Sequence, residues 1–69
     1  MEYFNLKIRD YNITVIDIGN GFYKVSLNNS GLGNMLSRNG KWILQGEHPF
    51  TDEELQVIGT EIQNKFINS

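Results

Sequence analysis

Two Asn-Gly dipeptides, Asn20-Gly21 and Asn39-Gly40, each stand between runs of strand composition. Both central residues of a type I′ turn need positive φ, which Asn and Gly adopt at least cost, so each pair marks a two-residue β-hairpin. Around the first, Ile13-Thr-Val-Ile-Asp-Ile18 leads in and Phe22-Tyr-Lys-Val-Ser-Leu27 leads out. Pairing outward from this turn sets Ile18 opposite Tyr23, Ile16 opposite Val25 and Thr14 opposite Leu27. Asp17 then meets Lys24 on the other face, an opposite-charge pair of the kind that stabilises a sheet. Around the second, Met35-Leu-Ser-Arg38 joins Lys41-Trp-Ile-Leu-Gln45, with Trp42 and Leu44 pointing one way and Leu36 and Ile43 the other.

Upstream, Phe4, Leu6 and Ile8 alternate with Asn5, Lys7 and Arg9, the period of a strand with one buried face. A three-residue loop Asp10-Tyr11-Asn12, with Asn12 left-handed, pairs Ile8 with Thr14, Leu6 with Ile16 and Phe4 with Ile18. Residues 28–34 collect Asn, Ser and Gly and read as an exposed loop. The C-terminal element carries three start signals for a helix. Thr51 and Glu54 form a capping box, Phe50 can staple onto Leu55, and Asp52, Glu53 and Glu54 sit at the positive end of the helix dipole. Leu55, Ile58, Ile62 and Phe66 fall on one stripe with Gly59 in its middle, where a glycine suggests close packing on the sheet.

These elements specify an α+β domain spanning 1–69: an antiparallel β-meander of four to five strands over about residues 2–45, with one C-terminal α-helix over about residues 52–67 on one face, in two layers. At 69 residues only one core fits. A chain this short buries about 60% of the surface that its unfolded form exposes, and with no cysteine no disulfide reinforces it.

Much chemistry is excluded by composition. The chain has one histidine and no cysteine, so it lacks a thiolate metal cage or a redox pair, and no metal or cofactor is expected. His48, in Gly46-Glu47-His48-Pro49, has no nucleophile beside it to make a triad and reads as a residue of the helix start. Asp52, Glu53 and Glu54 are explained as cap and dipole residues rather than a cation site. Gly19-Asn-Gly21 leads into a strand, Gly31-Leu-Gly33 lacks a third glycine, and Gly40-Lys41 is followed by Trp42 where a P-loop needs Ser or Thr, so no nucleotide loop is present. No catalytic residue and no small-molecule substrate is expected. The charged and apolar residues of the first ten positions alternate, unlike a secretion signal, and no apolar run is long enough for a membrane span; a cytoplasmic location with no membrane partner is the expectation.

What remains is surface. A helix of residues 52–67 would be about 24 Å long and 10–12 Å wide, against a sheet about 19–24 Å across, so one helix covers part of one face. The register above leaves Ile13, Val15 and Phe22 uncovered among Lys7, Arg9, Asp17 and Lys24. An apolar patch rimmed by charge marks a partner or homodimer surface; these residues and Trp42, a core residue or else a binding anchor, are the candidate contacts. The expected function is a non-catalytic, stoichiometric protein-binding domain, an adaptor or inhibitor such as a phage or mobile element uses against a host defence enzyme, with self-association as a second form. The alternative is an RNA or single-stranded DNA module using the basic face of Lys7, Arg9, Lys24 and Lys41 with Tyr3. A net charge of −2 and the position of Asp17 oppose that alternative.

Overall fold

Four two-residue turns join five strands, and seven of the eight turn residues have positive φ. Asn20 and Gly21 stand at φ 57° and 80°, Asn39 and Gly40 at 55° and 79°, Asn28 and Asn29 at 48° and 71°, and Arg9, followed by Asp10, at 54°. The computed structural model describes residues 2–68. The strands β1 (Tyr3–Ile8), β2 (Tyr11–Gly19), β3 (Phe22–Leu27), β4 (Ser30–Arg38) and β5 (Lys41–Leu44) pair antiparallel in chain order, and the sheet curls as a half-barrel. Helix α1 (Asp52–Ile62) continues into a π-helical turn over Gln63–Ile67. The α+β meander with one C-terminal helix is therefore the architecture, with five strands.

The helix begins as its signals require. Thr51 Oγ1 accepts from Glu54 N–H at 3.1 Å, and the Glu54 carboxylate accepts from Thr51 N–H at 2.9 Å, closing the capping box. Phe50 and Leu55, the two ends of the staple, both lie in the buried cluster. That cluster combines Leu55, Ile58 and Ile62 of α1 with Ile13, Val15, Tyr23, Val25, Met35, Trp42 and Leu44 of the sheet.

Three expectations about the sheet are corrected. The first turn is Arg9-Asp10, so Ile8 pairs with Tyr11, Leu6 with Ile13 and Phe4 with Val15, and Asn12 is a strand residue rather than a left-handed one. In the second hairpin the turn is where the Asn-Gly pair puts it, but Gly19 sits at φ 90° and Ile18 is an extra residue: Gly19 pairs with Phe22 and Asp17 with Tyr23. A bulge of this kind shifts the rest of the strand by one position and so exchanges its faces. Val15 now opposes Val25 and Ile13 opposes Leu27 on the helix side, while Ile16 opposes Lys24 on the other. Finally, residues 30–34 are strand and not loop. The Asn28-Asn29 turn starts β4, in which Gly31 opposes Ser26 and Gly33 opposes Val25 around one further bulged residue, Leu32. A Cβ at Gly33 would collide with the Gln45 carbonyl, so pairing on both sides overrides the poor strand propensity of this segment.

Trp42 is a core residue, 7% exposed, which removes it from the candidate contacts. Its indole lies against the backbone of Gly59, where any Cβ would overlap the ring. Replacing Gly59 by alanine gains about 1 kcal/mol of helix propensity but forces a repacking that costs about 1–3 kcal/mol. Urea unfolding of Gly59→Ala is expected to show a net loss of stability of about 1 kcal/mol, and in a Trp42→Leu background the same change is expected to stabilise. A stabilised Gly59→Ala single variant would contradict the contact.

Candidate functional site

The strand registers divide the sheet into a helix-side face and an open face. Outward positions on β1 are Tyr3, Asn5 and Lys7, which pair with Ile16, Thr14 and Asn12 of β2. Ile16 then opposes Lys24 of β3, which opposes Asn34 of β4, and Thr14 opposes Ser26. Phe22 shares the face of Lys24 two positions on, and Leu36 of β4, paired with Ile43 of β5, lies one step beyond the pairing of Tyr23 with Met35. Arg38 and Lys41 complete the open face at the last turn. Across its centre runs an apolar band of Ile16, Phe22, Leu36 and Ile43, joined by Tyr3 and by Ile18 in the bulge. Tyr3, Ile18 and Phe22 are 64%, 44% and 36% exposed, and the others are half-buried.

Of the expected contact residues, Lys7, Phe22 and Lys24 lie on this face and are exposed. Ile13 and Val15 do not. They are 1% and 0% exposed on the helix side, because the bulge at Ile18 reverses the register that had placed them outside. Arg9 is exposed but engaged elsewhere: its guanidinium donates from Nε to Glu54 Oε2 at 2.8 Å, and from one terminal nitrogen to Glu54 Oε1 and the Pro49 carbonyl at 3.0 and 2.9 Å. It also lies over the Tyr11 ring at 5.0 Å. Arg9 is thus a latch between the first turn and the start of α1. Residues that the sequence reading put on the buried side, Ile16 and Ile18, take the vacated outer positions, and Arg38 joins the basic set.

The charge distribution is one-sided. Four of the six cationic side chains, Lys7, Lys24, Arg38 and Lys41, occupy outward strand positions. None of the eight carboxylates does. Asp17 sits with Tyr23 on the opposite parity from Lys24 and accepts from Gly19 N–H at 2.9 Å. Burial first, and the Asp17 carboxylate second, push the Tyr23 phenol above its ordinary value. The other carboxylates precede β1, lie in the Arg9-Asp10 turn or follow β5. One of them, Asp52, approaches Lys41 to 3.8 Å around the β5 edge, both side chains being exposed, a contact of little energetic weight.

His48 belongs to the helix start. Its Nδ1 accepts from Phe50 N–H at 3.2 Å and its ring stacks on Phe50 at 5.9 Å between centroids. Among the described residues no group of three or more His, Asp or Glu side chains is disposed to hold a metal ion, and no enclosed cavity is present. No helix there is long and apolar enough to cross a membrane. Neither protein-family models, curated proteins nor solved structures provide a match to this chain.

One outcome tests the latch and a second tests the left-handed turn beside it. The hydrogen bond from Arg9, then that from the Thr51 backbone, hold the Glu54 carboxyl below its ordinary value. A depressed carboxyl contributes stability that is complete above the unfolded value of about 4.3 and is lost as pH falls through the lower folded value. The urea midpoint of the wild type is therefore expected to fall as pH drops below about 4.3, and the gap between wild type and Glu54→Gln to close over the same window; a constant gap would show that the pair contributes nothing. Separately, Arg9 holds a left-handed φ without being glycine, which costs about 1 kcal/mol. Arg9→Gly, which loses the latch but relieves the strain, is expected to unfold about 1 kcal/mol later than Arg9→Ala, which loses the latch and keeps the strain.

Proposed function

We propose that the chain is a non-catalytic protein-binding module, acting stoichiometrically as an adaptor or inhibitor, that docks its partner on the open face of the sheet. The observation that carries this reading is the apolar band of Ile16, Phe22, Leu36 and Ile43, uncovered by the helix and bordered by cations, with no carboxylate at an outward strand position. Apolar centres with polar rims are the anatomy of protein interfaces, and a band spanning four strands is more than the scattered exposure of an ordinary surface. The partner's chemistry follows: an apolar protrusion to fill the band and carboxylates to meet Lys7, Lys24 and Arg38. The module works in the cytoplasm, where a cysteine-free chain loses nothing to a reducing environment.

Immobilised wild-type protein is expected to retain a partner from the cell of origin that the Phe22→Ala and Leu36→Ala variants lose by at least tenfold, and that Lys24→Glu binds more slowly and with less dependence on salt. Both apolar positions point away from the core, so circular dichroism should confirm the fold of each variant. Retention of the same proteins by wild type and by Phe22→Ala/Leu36→Ala would defeat the proposal, as would retention of none.

One observation favours a second reading. With Asp17 off the open face, Tyr3 and Phe22 stand exposed among Lys7, Lys24, Arg38 and Lys41, an arrangement on which bases can stack while lysines follow the phosphates. An unstructured RNA or DNA oligonucleotide would then bind with an affinity that falls steeply with salt. Absence of binding at low salt removes this reading and leaves the first.

A further inference from the structure

The two edges of the sheet are finished differently. On β5 the backbone of Trp42 faces away from β4, and the side chain of Gln56 occupies it: Trp42 N–H donates to Gln56 Oε1 at 3.1 Å and Gln56 Nε2 donates to the Trp42 carbonyl at 2.9 Å. An amide side chain has taken the place a strand would take, in the middle of a four-residue edge. Natural sheets close their edges by such devices because unpaired N–H and C=O groups recruit other chains.

Nothing comparable closes β1. Asp17 N–H donates to the Glu2 carbonyl at 3.0 Å around the pairing of Tyr3 with Ile16, and Asn12 directs its N–H and C=O to Asn28 of the β3–β4 turn. Tyr3, Asn5 and Lys7 are therefore the positions of β1 whose backbone groups turn away from β2. Among the described residues no strand or side chain meets them. The strand is six residues long, has no proline and no bulge, and its helix-side residues Phe4, Leu6 and Ile8 are only half-buried at the margin of the core.

We infer that β1 pairs antiparallel with β1 of a second copy, about a two-fold axis through Asn5, so that two five-stranded sheets become one of ten strands. The strand is complementary to itself in this register. Asn5 meets Asn5, and Tyr3 meets Lys7 on both sides of the axis, so every outward N–H and C=O of the three residues finds a partner and each Lys7 ammonium lies beside a tyrosine ring. On the helix side Phe4 meets Leu6 twice, burying apolar surface that the monomer leaves half open. Centring the pair on Lys7 would bring two lysines face to face, and centring it on Tyr3 would leave Lys7 without an opposite residue. Charge and hydrogen bonding thus select one register, and the occupant that satisfies it is this strand itself. An interface of one short edge lies at the small end of specific contacts, so the dimer is expected in the micromolar range. The inference does not depend on what the open face binds.

Sedimentation equilibrium between about 5 µM and 1 mM is expected to show the mass rising from 7.9 kDa toward twice that value. Amide exchange at Tyr3, Asn5 and Lys7 should slow over the same range. Asn5→Pro removes an N–H that β2 does not use, together with the hydrogen bond that Asn5 Oδ1 accepts from Thr14 Oγ1 at 2.8 Å, and should hold the chain at the monomer mass with a small loss of stability. Tyr3→Lys sets like charges opposite each other and should weaken the dimer at least tenfold, and the double variant Tyr3→Lys/Lys7→Glu should recover it; this pair decides the matter if Asn5→Pro does not fold. A monomer mass up to 1 mM, a dimer indifferent to Asn5→Pro, or a double variant no better than Tyr3→Lys would each overturn the inference. Phe22→Ala should leave the dimer intact, which separates a failure here from a failure of the open face to bind a partner.

Discussion

The indole of Trp42 against the bare backbone of Gly59 sets how closely the helix approaches the sheet, and the remaining packing is arranged around that contact. From the indole a line of rings crosses to the far edge. Tyr23 packs at 5.8 Å from Trp42, Phe66 stacks on Tyr23 at 5.6 Å, and Phe4 of β1 lies 5.2 Å from Phe66. Both edge strands are thus tied to the C-terminal segment through aromatic contacts. For a chain with room for only one small core, large rigid rings give the most burial per ordered residue. Holding the helix close also puts Gln56, one turn before Thr60, within reach of the β5 backbone, so the packing of Trp42 and the closing of its strand edge are one arrangement.

Which chemistry faces outward depends on a single inserted residue. Without the bulge at Ile18, Asp17 would stand beside Lys24 and the open face would carry both signs of charge. With it, Asp17 turns to the side of Tyr23, and the face keeps only cations around its apolar band. Three of the eight carboxylates, Asp52, Glu53 and Glu54, sit in the first turn of α1, where the helix dipole favours them. A chain of small negative net charge thereby presents a basic face, which total charge alone conceals.

The elements themselves were legible because their signals are local. Asn-Gly at positions 20–21 and 39–40, the Thr51 and Glu54 box and the stripe of Leu55, Ile58 and Ile62 act within a few residues, and each lies where it was read. The opposite orientations of Trp42 and Ile43 followed from strand alternation alone. Register was not legible in the same way. A bulge leaves no mark beyond Gly19, which already had a use beside the turn, and one residue is enough to exchange Ile13 and Val15 with Ile16. Arg9 at positive φ has no sequence signal at all; its turn is held by Glu54, 45 positions away. The first half of β4, residues 30–34, was hidden by Gly31, Gly33 and Asn34, because strands on both sides, rather than its own propensity, make it extended. The candidate contacts therefore divided by position: Lys7, Phe22 and Lys24 are exposed on the open face, while Ile13, Val15 and Trp42 are taken up by packing and Arg9 by the latch.

A face and an edge on the same sheet have a joint consequence. Pairing through β1 keeps outward positions outward in both copies, since residues opposite each other in an antiparallel sheet share a side. The apolar band and its lysines would then continue across the two-fold axis, with Tyr3 and Lys7 of each copy lying at the seam. One protomer offers a narrow band, enough for a weak contact. Two joined edge to edge offer a surface of twice the width to a symmetric partner, and the second contact forms at high effective concentration once the first is made. Closing β5 with Gln56 matters in this light, because two open edges would let copies add without limit, whereas one open edge ends assembly at the pair.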